Sequence, residues 1–308
     1  MARFRAGWWF LLAVIVVTLS ACSDSKRSQT SAGDFPIKVV TSNGEVTIPH
    51  RPSRIVSLSA TGTEDLYAVG AGGQVVAVDS YSTHPPQAPR TQLSGFKPNV
   101  EAIAEYRPDL VVVAEDTDHI ASQLAKLHIP VLVEPPAPNL ASAYAEITQL
   151  GQATGHADDA QPVIDKMKTQ VAAIVHSVPP PSKPLSVYHE LDQTYYSATS
   201  QTFIGQMYTL LGVTNIADQA HKSGEYPQLS AEYVIASNPD LIVLADPACC
   251  GQSAKTVAAR PGWGNIAAVK RGDVLAVDDS IASEWGPRVV LFLKTLAGEL
   301  RKVEERSR

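Results

Sequence analysis

Seven short apolar runs constrain what this chain can fold into. They are rich in Val, Ile and Leu, their charges lie only at their ends, and longer stretches with helical periodicity separate them. Continuous apolar runs of this length are typical of parallel strands that are buried on both faces of a sheet. We therefore expect an α/β protein with two parallel sheets. The predicted strands are residues 54–58, 74–78, 110–114, 130–134, 185–189, 241–245 and 273–277.

A long amphipathic segment lies between the first four and the last three predicted strands. Over residues 160–178, apolar side chains recur at spacings of three and four, which places them on one face of a helix. A helix of about 20 residues spans roughly 30 Å, enough to join two lobes as a stiff strut. Prolines after residue 178 end it. The predicted domains are an N-terminal α/β lobe at 35–155, an interlobe helix at 156–180 and a C-terminal α/β lobe at 181–308.

One small unit occurs twice in the chain. It reads "NVEAIAEYRPDLVVVAED" from Asn99 and "SAEYVIASNPDLIVLADP" from Ser230. In each copy the first polar residue can cap a helix that ends at a Pro-Asp turn before a buried strand. Glu101 and Glu232 lie in the first helical turn, where a carboxylate also stabilises the helix dipole. On two lobes related by pseudo-symmetry, this pair would form a two-point acidic contact for a symmetric partner.

The N-terminal segment has the features of an export signal. Arg3 and Arg5 precede an apolar run at residues 8–19, which is shorter than the roughly 20 apolar residues of a membrane span. The run ends in "LSAC", which resembles the lipobox of bacterial lipoproteins. We therefore expect a signal peptide at 1–21, a lipidated Cys22, a flexible tether at 22–34, and an extracytoplasmic protein anchored to the cell membrane. An ordinary secretory peptide or a short core helix is the alternative.

Composition and motifs exclude several classes of function. The net charge of −6 argues against nucleic-acid binding, which requires a basic surface. "GAGG" at residues 70–73 lacks the third glycine of a dinucleotide loop, and "CCGQSAKT" at 249–256 lacks the glycines of a P-loop. "HELDQ" at 189–193 lacks the second histidine of a zinc protease. We expect a protein that is not an enzyme, uses no catalytic cofactor and provides no direct metal ligands.

Six segments distributed along the chain form a specific constellation. They are "PSRIVSLSATGTEDLYAVGAGGQVVAVDSYSTHPP", "VEAIAEYRPDLVV", "TFIGQMYTLLG", "PQLSAEYVIASNPDLIVL", "PGWGNIAAVKRGDVLAVD" and "GPRVV". Together they resemble the class III substrate-binding proteins of bacterial ABC importers, over residues 37–299. In that family, two α/β lobes joined by one long helix hold a ferric chelate, haem or vitamin B12 in the cleft between them.

The resemblance also implies how the protein works. Glutamates at the positions of Glu101 and Glu232 dock onto the permease dimer, which operates with its ATPase subunits. The binding protein would act as a monomer that delivers its ligand without altering it, and its lobes would close only slightly around that ligand.

Candidate ligand contacts follow the predicted strands, because ligands of α/β sheets bind beyond the carboxyl ends of the strands. Phenol hydroxyls and a guanidinium suit an anionic ferric chelate of the citrate or siderophore type, which we expect as the ligand. The candidate residues are Tyr81, His84, Tyr195, Tyr196, Tyr226, Trp285 and Arg288.

Other ligands and functions remain open at this point. Haem would require a tyrosine or histidine as axial ligand, for which Tyr195, Tyr196, His84 and His189 are available. A corrinoid is a further possibility within the same fold. A cell-envelope interaction protein that has lost transport is the alternative from a different functional class.

Cys249 and Cys250 form an adjacent pair. If Cys22 is lipidated, these two are the remaining cysteines of an exported protein, where disulfides form. Adjacent cysteines close only an eight-membered ring, so a vicinal disulfide and two buried thiols are both compatible with the sequence. The pair follows a predicted strand and would border the cleft.

Overall fold

The computed structural model describes residues 35–178, 180, 183–220 and 224–307. The predicted signal peptide, the tether and Cys22 lie outside these residues. Within the described part of the chain, no helix has the length and apolar character needed to cross a membrane.

The regular elements alternate between strands and helices for most of the chain. The strands are β1 Ile37–Thr41, β2 Gly44–Ile48, β3 Ile55–Leu58, β4 Val75–Val78, β5 Leu110–Val113, β6 Val131–Val133, β7 Ser186–Glu190, β8 Thr214–Asn215, β9 Leu241–Leu244 and β10 Val274–Ala276. The α-helices are α1 Ala60–Ala68, α2 Val100–Ala104, α3 Ile120–Ala125, α4 Leu140–Thr154, α5 Ala157–His176, α6 Phe203–Leu210, α7 Ala231–Ser237, α8 Pro247–Cys250, α9 Ala254–Ala258, α10 Ala267–Arg271, α11 Asp279–Ser283 and α12 Val289–Ser307.

The strands form two parallel sheets with the same strand order. The first sheet has the order β4-β3-β5-β6, and the second has the order β8-β7-β9-β10. In each sheet the first strand therefore lies between the second and the third, and the fourth strand lies outside the third. All seven strands predicted from the sequence are present, and the expected two-lobe α/β fold is confirmed. The antiparallel hairpin of β1 and β2, and the two-residue strand β8, were not predicted.

The central strands β5 and β9 bury both of their faces. Leu110 and Val112 of β5, together with Leu241 and Val243 of β9, belong to one hydrophobic cluster. The alternate residues of each strand pack into a separate cluster on the outer face of their own sheet. This alternation is the period of two that a strand imposes. The inner faces of both sheets thus contribute to a single core that is continuous between the lobes.

Helix α5 packs against this shared core through one face and exposes the other. The apolar spacing predicts a helix over residues 160–178, and the structure has it at Ala157–His176. Its first turn contains Asp158 and Asp159, which suit the positive end of the helix dipole. Ile164 and Met167 lie on its buried face, inside the cluster that joins the two sheets. The helix is therefore packed between the lobes along its apolar face.

The repeated unit has the same local structure in both lobes. Asn99 caps α2 by accepting a hydrogen bond from the backbone N–H of Ala102 at 2.7 Å. Ser230 caps α7 by accepting one from the backbone N–H of Tyr233 at 3.2 Å. Both caps are as the sequence predicts. Each helix leads into the third strand of its sheet.

The aspartate of the repeated Pro-Asp turn fixes the first strand of each lobe. Asp109 accepts hydrogen bonds from the backbone N–H and the hydroxyl of Ser53, just before β3, at 2.9 and 2.8 Å. Asp240 makes the same pair of contacts with Ser186, the first residue of β7, at 3.1 and 3.2 Å. The repeat therefore specifies how the third strand aligns with the first in both sheets.

Candidate ligand-binding cleft

The two lobes meet at the carboxyl ends of their sheets, where the two-lobe fold predicts a ligand cleft. The segment that follows β10 and α11 reaches the first lobe, where the indole Nε1 of Trp285 donates a hydrogen bond to Glu146 at 2.5 Å. In the same segment, Arg288 forms an ion pair with Glu64 of α1. These contacts between the lobes border one side of the cleft.

In the first lobe, Tyr81 is held at the cleft by a buried hydrogen-bond network. Asp79 directly follows β4 and accepts hydrogen bonds from the backbone N–H and hydroxyl of Ser82, at 2.9 and 2.7 Å. Tyr81, between them, remains 59% exposed, and its ring meets Phe96 edge to face at 5.1 Å. Phe96 is itself 68% exposed and was not among the predicted contacts.

In the second lobe, Tyr196 and Tyr226 lie on a short antiparallel ribbon. The loop after β7 pairs with residues 225–229, and Tyr196 is opposite Gln228. Tyr226 is two residues from Gln228, so it is at a diagonal cross-strand position to Tyr196, within reach of a large side chain. Both tyrosine rings are exposed. The ribbon therefore presents two aromatic side chains together.

All the exposed aromatic side chains in the described residues lie on these loops. Two belong to the first lobe and two to the second, and they are Tyr81, Phe96, Tyr196 and Tyr226. Large aromatic rings are usually buried in a hydrophobic core. Four exposed rings on loops at the carboxyl edges of the sheets therefore mark a surface that is suited to binding a partner.

Tyr195 has a different role from its neighbour. Its backbone has a φ of +71°, an unusual conformation for a residue with a side chain. Its ring stacks on that of Trp263 with centroids 5.6 Å apart, and the guanidinium of Arg260 lies over both rings. Tyr195 thus packs into its own lobe, whereas Tyr196 is exposed.

Arg260 joins three segments of the second lobe. Its guanidinium donates two hydrogen bonds of 2.6 Å to the carboxylate of Glu190, which is fully buried at the end of β7. It also donates one of 2.7 Å to the side-chain oxygen of Gln252. A bidentate, charge-assisted pair of this kind has a defined geometry. The position of the Tyr195 ring is therefore tied to the sheet through one side chain.

The predicted contacts Arg288 and Trp285 are engaged between the lobes. Arg288 donates to Glu284 at 2.9 Å and to the hydroxyl of Ser280 at 3.1 Å, besides its ion pair with Glu64. His84 is nearby, because it lines a cavity of about 250 Å³ together with Glu64 and Arg288. Their role as ligand contacts stays a prediction.

Buried carboxyl groups surround this contact between the lobes, which we call the seam. The carboxyl groups of the seam belong to Glu64, Asp65, Glu134, Glu146 and Glu284. Burial, with the charge of Glu146, raises the pKa of Glu134 to about 8. Burial raises the pKa of Glu146 to about 7, although the hydrogen bond from Trp285 opposes it. Burial next to Glu64 raises the pKa of Glu284 to about 9. Burial and the neighbouring acids also raise the pKa of Asp65.

Neither His189 nor a clustered set of ligands offers a metal site in the described residues. His189 is fully buried, its Nδ1 lies 2.6 Å from the hydroxyl of Tyr208, and burial lowers its pKa to about 3. It is a neutral core histidine. No group of three or more His, Cys, Asp and Glu side chains in this part of the chain is placed to hold a metal ion.

Cys249 and Cys250 form a disulfide at the cleft edge of the second sheet. They end the short helix α8, which follows β9 after two residues. Cys249 is exposed and Cys250 is half-buried. Of the two forms compatible with the sequence, the structure has the vicinal disulfide.

Glu101 and Glu232 are exposed at equivalent positions of the two lobes. Each lies in the first turn of the helix that precedes the third strand, in α2 and α7 respectively. A helix that joins parallel strands runs antiparallel to them, so its first turn lies at the carboxyl edge of the sheet. Both glutamates are thus on the cleft side of their lobes.

The raised pKa values of the seam predict that stability falls with rising pH. A native carboxyl group with a raised pKa binds a proton that the unfolded chain releases above about pH 4.5, so its contribution is lost between about pH 5 and 9. Glu134→Gln should reduce this loss by about 1–3 kcal/mol of unfolding free energy. Urea unfolding at pH 6 and pH 9 measures the change in unfolding free energy between the two pH values. Glu105→Gln, at an exposed helix end, is the control. Equal pH dependence in both variants would contradict the assignment.

Comparison with known proteins agrees with this architecture. A profile of the periplasmic binding protein family matches residues 55–281. The chain is 32% identical over 309 residues to the uncharacterized ABC transporter substrate-binding lipoprotein YvrC of Bacillus subtilis, covering 95% of this chain and 96% of the relative. It is 29% identical over 299 residues to a cobalamin-binding protein of Halobacterium salinarum, covering 91% of this chain and 80% of that one.

A solved structure is similar over most of the chain. It is a possible iron-binding (periplasmic solute-binding) protein of Staphylococcus epidermidis, with a TM-score of 0.71 and 25% identity, and the match covers 82% of this chain and 99% of that one. Proteins of this family bind substrates and are not enzymes, and the molecules that they hold in the cleft are ligands rather than catalytic cofactors. Matched in its sequence, its two sheets and its cleft, the chain belongs to the periplasmic binding protein family, among the class III substrate-binding proteins of ABC importers.

Proposed function

We propose that this substrate-binding protein captures a corrinoid-type chelate, a large flat metal complex without net negative charge, and delivers it to the permease of an ABC importer. The observation that carries the proposal is the set of four exposed aromatic side chains, two on loops of each lobe, which we take as the walls of the cleft between the lobes. Flat macrocycles bind well between aromatic walls, because each ring offers a large contact area with little conformational freedom to lose.

The charges around the cleft support a ligand that is not anionic. Arg260 is paired with the buried Glu190, and Arg288 is paired with Glu64. Their positive charges are therefore already offset, and removing them from these partners would leave buried carboxylates unpaired. A ferric citrate or a similar anion would gain little from either guanidinium. The corrinoid alternative therefore fits these charges better than the expected ferric chelate.

The relatives support the same choice. One of the similar proteins is named for binding cobalamin. The similar solved structure is named as possibly iron-binding, so a ferric chelate is the second candidate, with the tyrosine hydroxyls as its favourable contacts. Lys97, exposed next to Phe96, is the cation that such an anion would meet.

Ligand titration of the purified protein tests the proposal. Cyanocobalamin should bind and quench tryptophan fluorescence, whereas ferric citrate and haem should bind more weakly or not at all. Tyr196→Ala and Tyr81→Ala should each weaken cyanocobalamin binding about tenfold, because a stacked aromatic contact contributes about 1–2 kcal/mol. Leu127→Ala, at an exposed apolar residue after α3, is the matched control and should have no effect.

The other outcomes discriminate between the candidates. If a ferric chelate binds tightly and Lys97→Gln weakens that binding, the assigned ligand is an anionic iron complex and not a corrinoid. Haem binding with a visible spectrum that depends on Tyr196 would identify a haem receptor. Failure of all three chelates to bind would contradict the proposal and favour the alternative of an envelope interaction protein.

We further propose that Glu101 and Glu232 dock the protein onto a two-fold permease. Two exposed carboxylates on equivalent helices of the two lobes match a symmetric partner that presents cations. Glu101→Ala combined with Glu232→Ala should abolish uptake in cells and leave ligand affinity unchanged. Glu105→Ala is the control for an exposed glutamate near the same helix. Normal uptake by the double variant would refute this docking surface.

Lipidation of Cys22 is the proposed means of anchoring the protein outside the cytoplasm. The relative from Bacillus subtilis is named a lipoprotein, and the sequence before Cys22 fits this processing. Cys22→Ser should release the protein from the membrane fraction, since a short polar segment alone has little affinity for a bilayer. Cell fractionation measures it, and unchanged membrane retention of the variant would contradict the anchor.

A further inference from the structure

We propose that the Cys249–Cys250 disulfide is a direct ligand contact, so that the affinity of the cleft depends on the redox state of this pair. The inference rests on the proposed function and adds a contact within the same cleft. Three observations carry it: the place of the disulfide beyond the sheet, the exposure of Cys249, and the connection of the pair to the aromatic residues.

The disulfide is at the position in the sheet where ligands are expected. It lies just beyond the carboxyl end of β9, and β9 pairs with β7 in the middle of the second sheet. The loop with Tyr196 follows β7. Adjacent strands are about 4.8 Å apart, so the two loops leave the sheet side by side. In sheets of this order, ligands bind where the connections from neighbouring central strands diverge.

The polar backbone of α8 is used in contacts that hold the disulfide in place. Asp279, the first residue of α11, accepts hydrogen bonds from the backbone N–H groups of Ala248 and Cys249 at 3.5 and 3.3 Å. The side chain of Gln252 donates to the carbonyl oxygen of Cys250 at 3.3 Å. Cys249 nevertheless remains exposed. The disulfide, whose sulfur atoms are soft and polarisable, is therefore on an exposed turn at the carboxyl edge of the sheet.

The disulfide and the antiparallel ribbon with Tyr196 are connected through Gln252 and Arg260. Gln252 contacts Cys250 through its amide nitrogen and Arg260 through its oxygen. Arg260 in turn lies over the ring of Tyr195, next to Tyr196. The turn with the disulfide and the loop with Tyr196 are thus positioned by the same guanidinium, and they form one side of the cleft.

Reduction would change this surface without changing the sequence. A dithiol reductant such as dithiothreitol transfers two electrons and two protons, the S–S bond breaks, two thiols form, and the reductant becomes a cyclic disulfide. The rigid ring is then replaced by two side chains that rotate independently and expose polar S–H groups. A ligand packed against the disulfide loses a preorganised apolar contact.

The test compares cyanocobalamin binding by the full chain in its two redox states, after anaerobic removal of the reductant. We expect the reduced protein to bind about tenfold more weakly, and reoxidation to restore the affinity. The double variant Cys249→Ser with Cys250→Ser should bind as weakly as the reduced protein and should not respond to reductant. Circular dichroism checks that each form is folded. If the serine variant does not fold, the two states of the wild type still decide the question.

The outcomes separate this inference from the proposed function. Equal affinity in both redox states, combined with a loss of affinity in Tyr196→Ala, overturns the disulfide contact and leaves the corrinoid proposal intact. Failure of the oxidised protein to bind cyanocobalamin overturns both. A response to reductant that persists in the double serine variant places the effect elsewhere and also overturns the inference.

Discussion

The continuous hydrophobic cluster between the lobes is the constraint on which the rest of the structure depends. The inner faces of β5 and β9 pack into it from opposite lobes, and the buried face of α5 packs against the same cluster. Each fully buried aliphatic side chain contributes roughly 1.5–3 kcal/mol, so moving the lobes far apart would expose a costly surface. We therefore expect the lobes to close only slightly around a ligand, so that binding requires little ordering of the protein.

Most of the fold could be predicted because its determinants are local. Seven apolar runs and the spacing of residues on α5 identified the principal strands and the long helix, and Asn99 and Ser230 were recognised as caps from their residue type. The hairpin β1–β2 was missed because its strands are mostly exposed and only partly apolar. The sequence Ser-Asn-Gly between them, with Gly44 at a φ of +101°, is the turn signal that could have revealed it.

The side chains that line the cleft were harder to predict from the sequence than the fold. Loops after predicted strands contain Tyr81 and Tyr196, and the segment before the second copy of the repeat contains Tyr226; the structure exposes all three. Phe96 was missed because it lies far along its loop and reaches Tyr81 only through tertiary structure. The partners of Trp285 and Arg288 could not be foreseen either. Glu146 and Glu64 belong to the other lobe, and no local pattern links residues so distant in the chain.

The shared strand order of the two sheets has a consequence for how such a protein can evolve. With an equivalent aspartate at each Pro-Asp turn and an exposed glutamate on each preceding helix, the chain has the layout of a fused homodimer. The strand order, the Pro-Asp turn and the preceding helix are common to both lobes. The loops beyond the strands are free to diverge, and Cys249 with Cys250 in the second lobe has no counterpart after β5 in the first. Substitutions in these loops can therefore change the ligand contacts without altering the repeated backbone that the two lobes share.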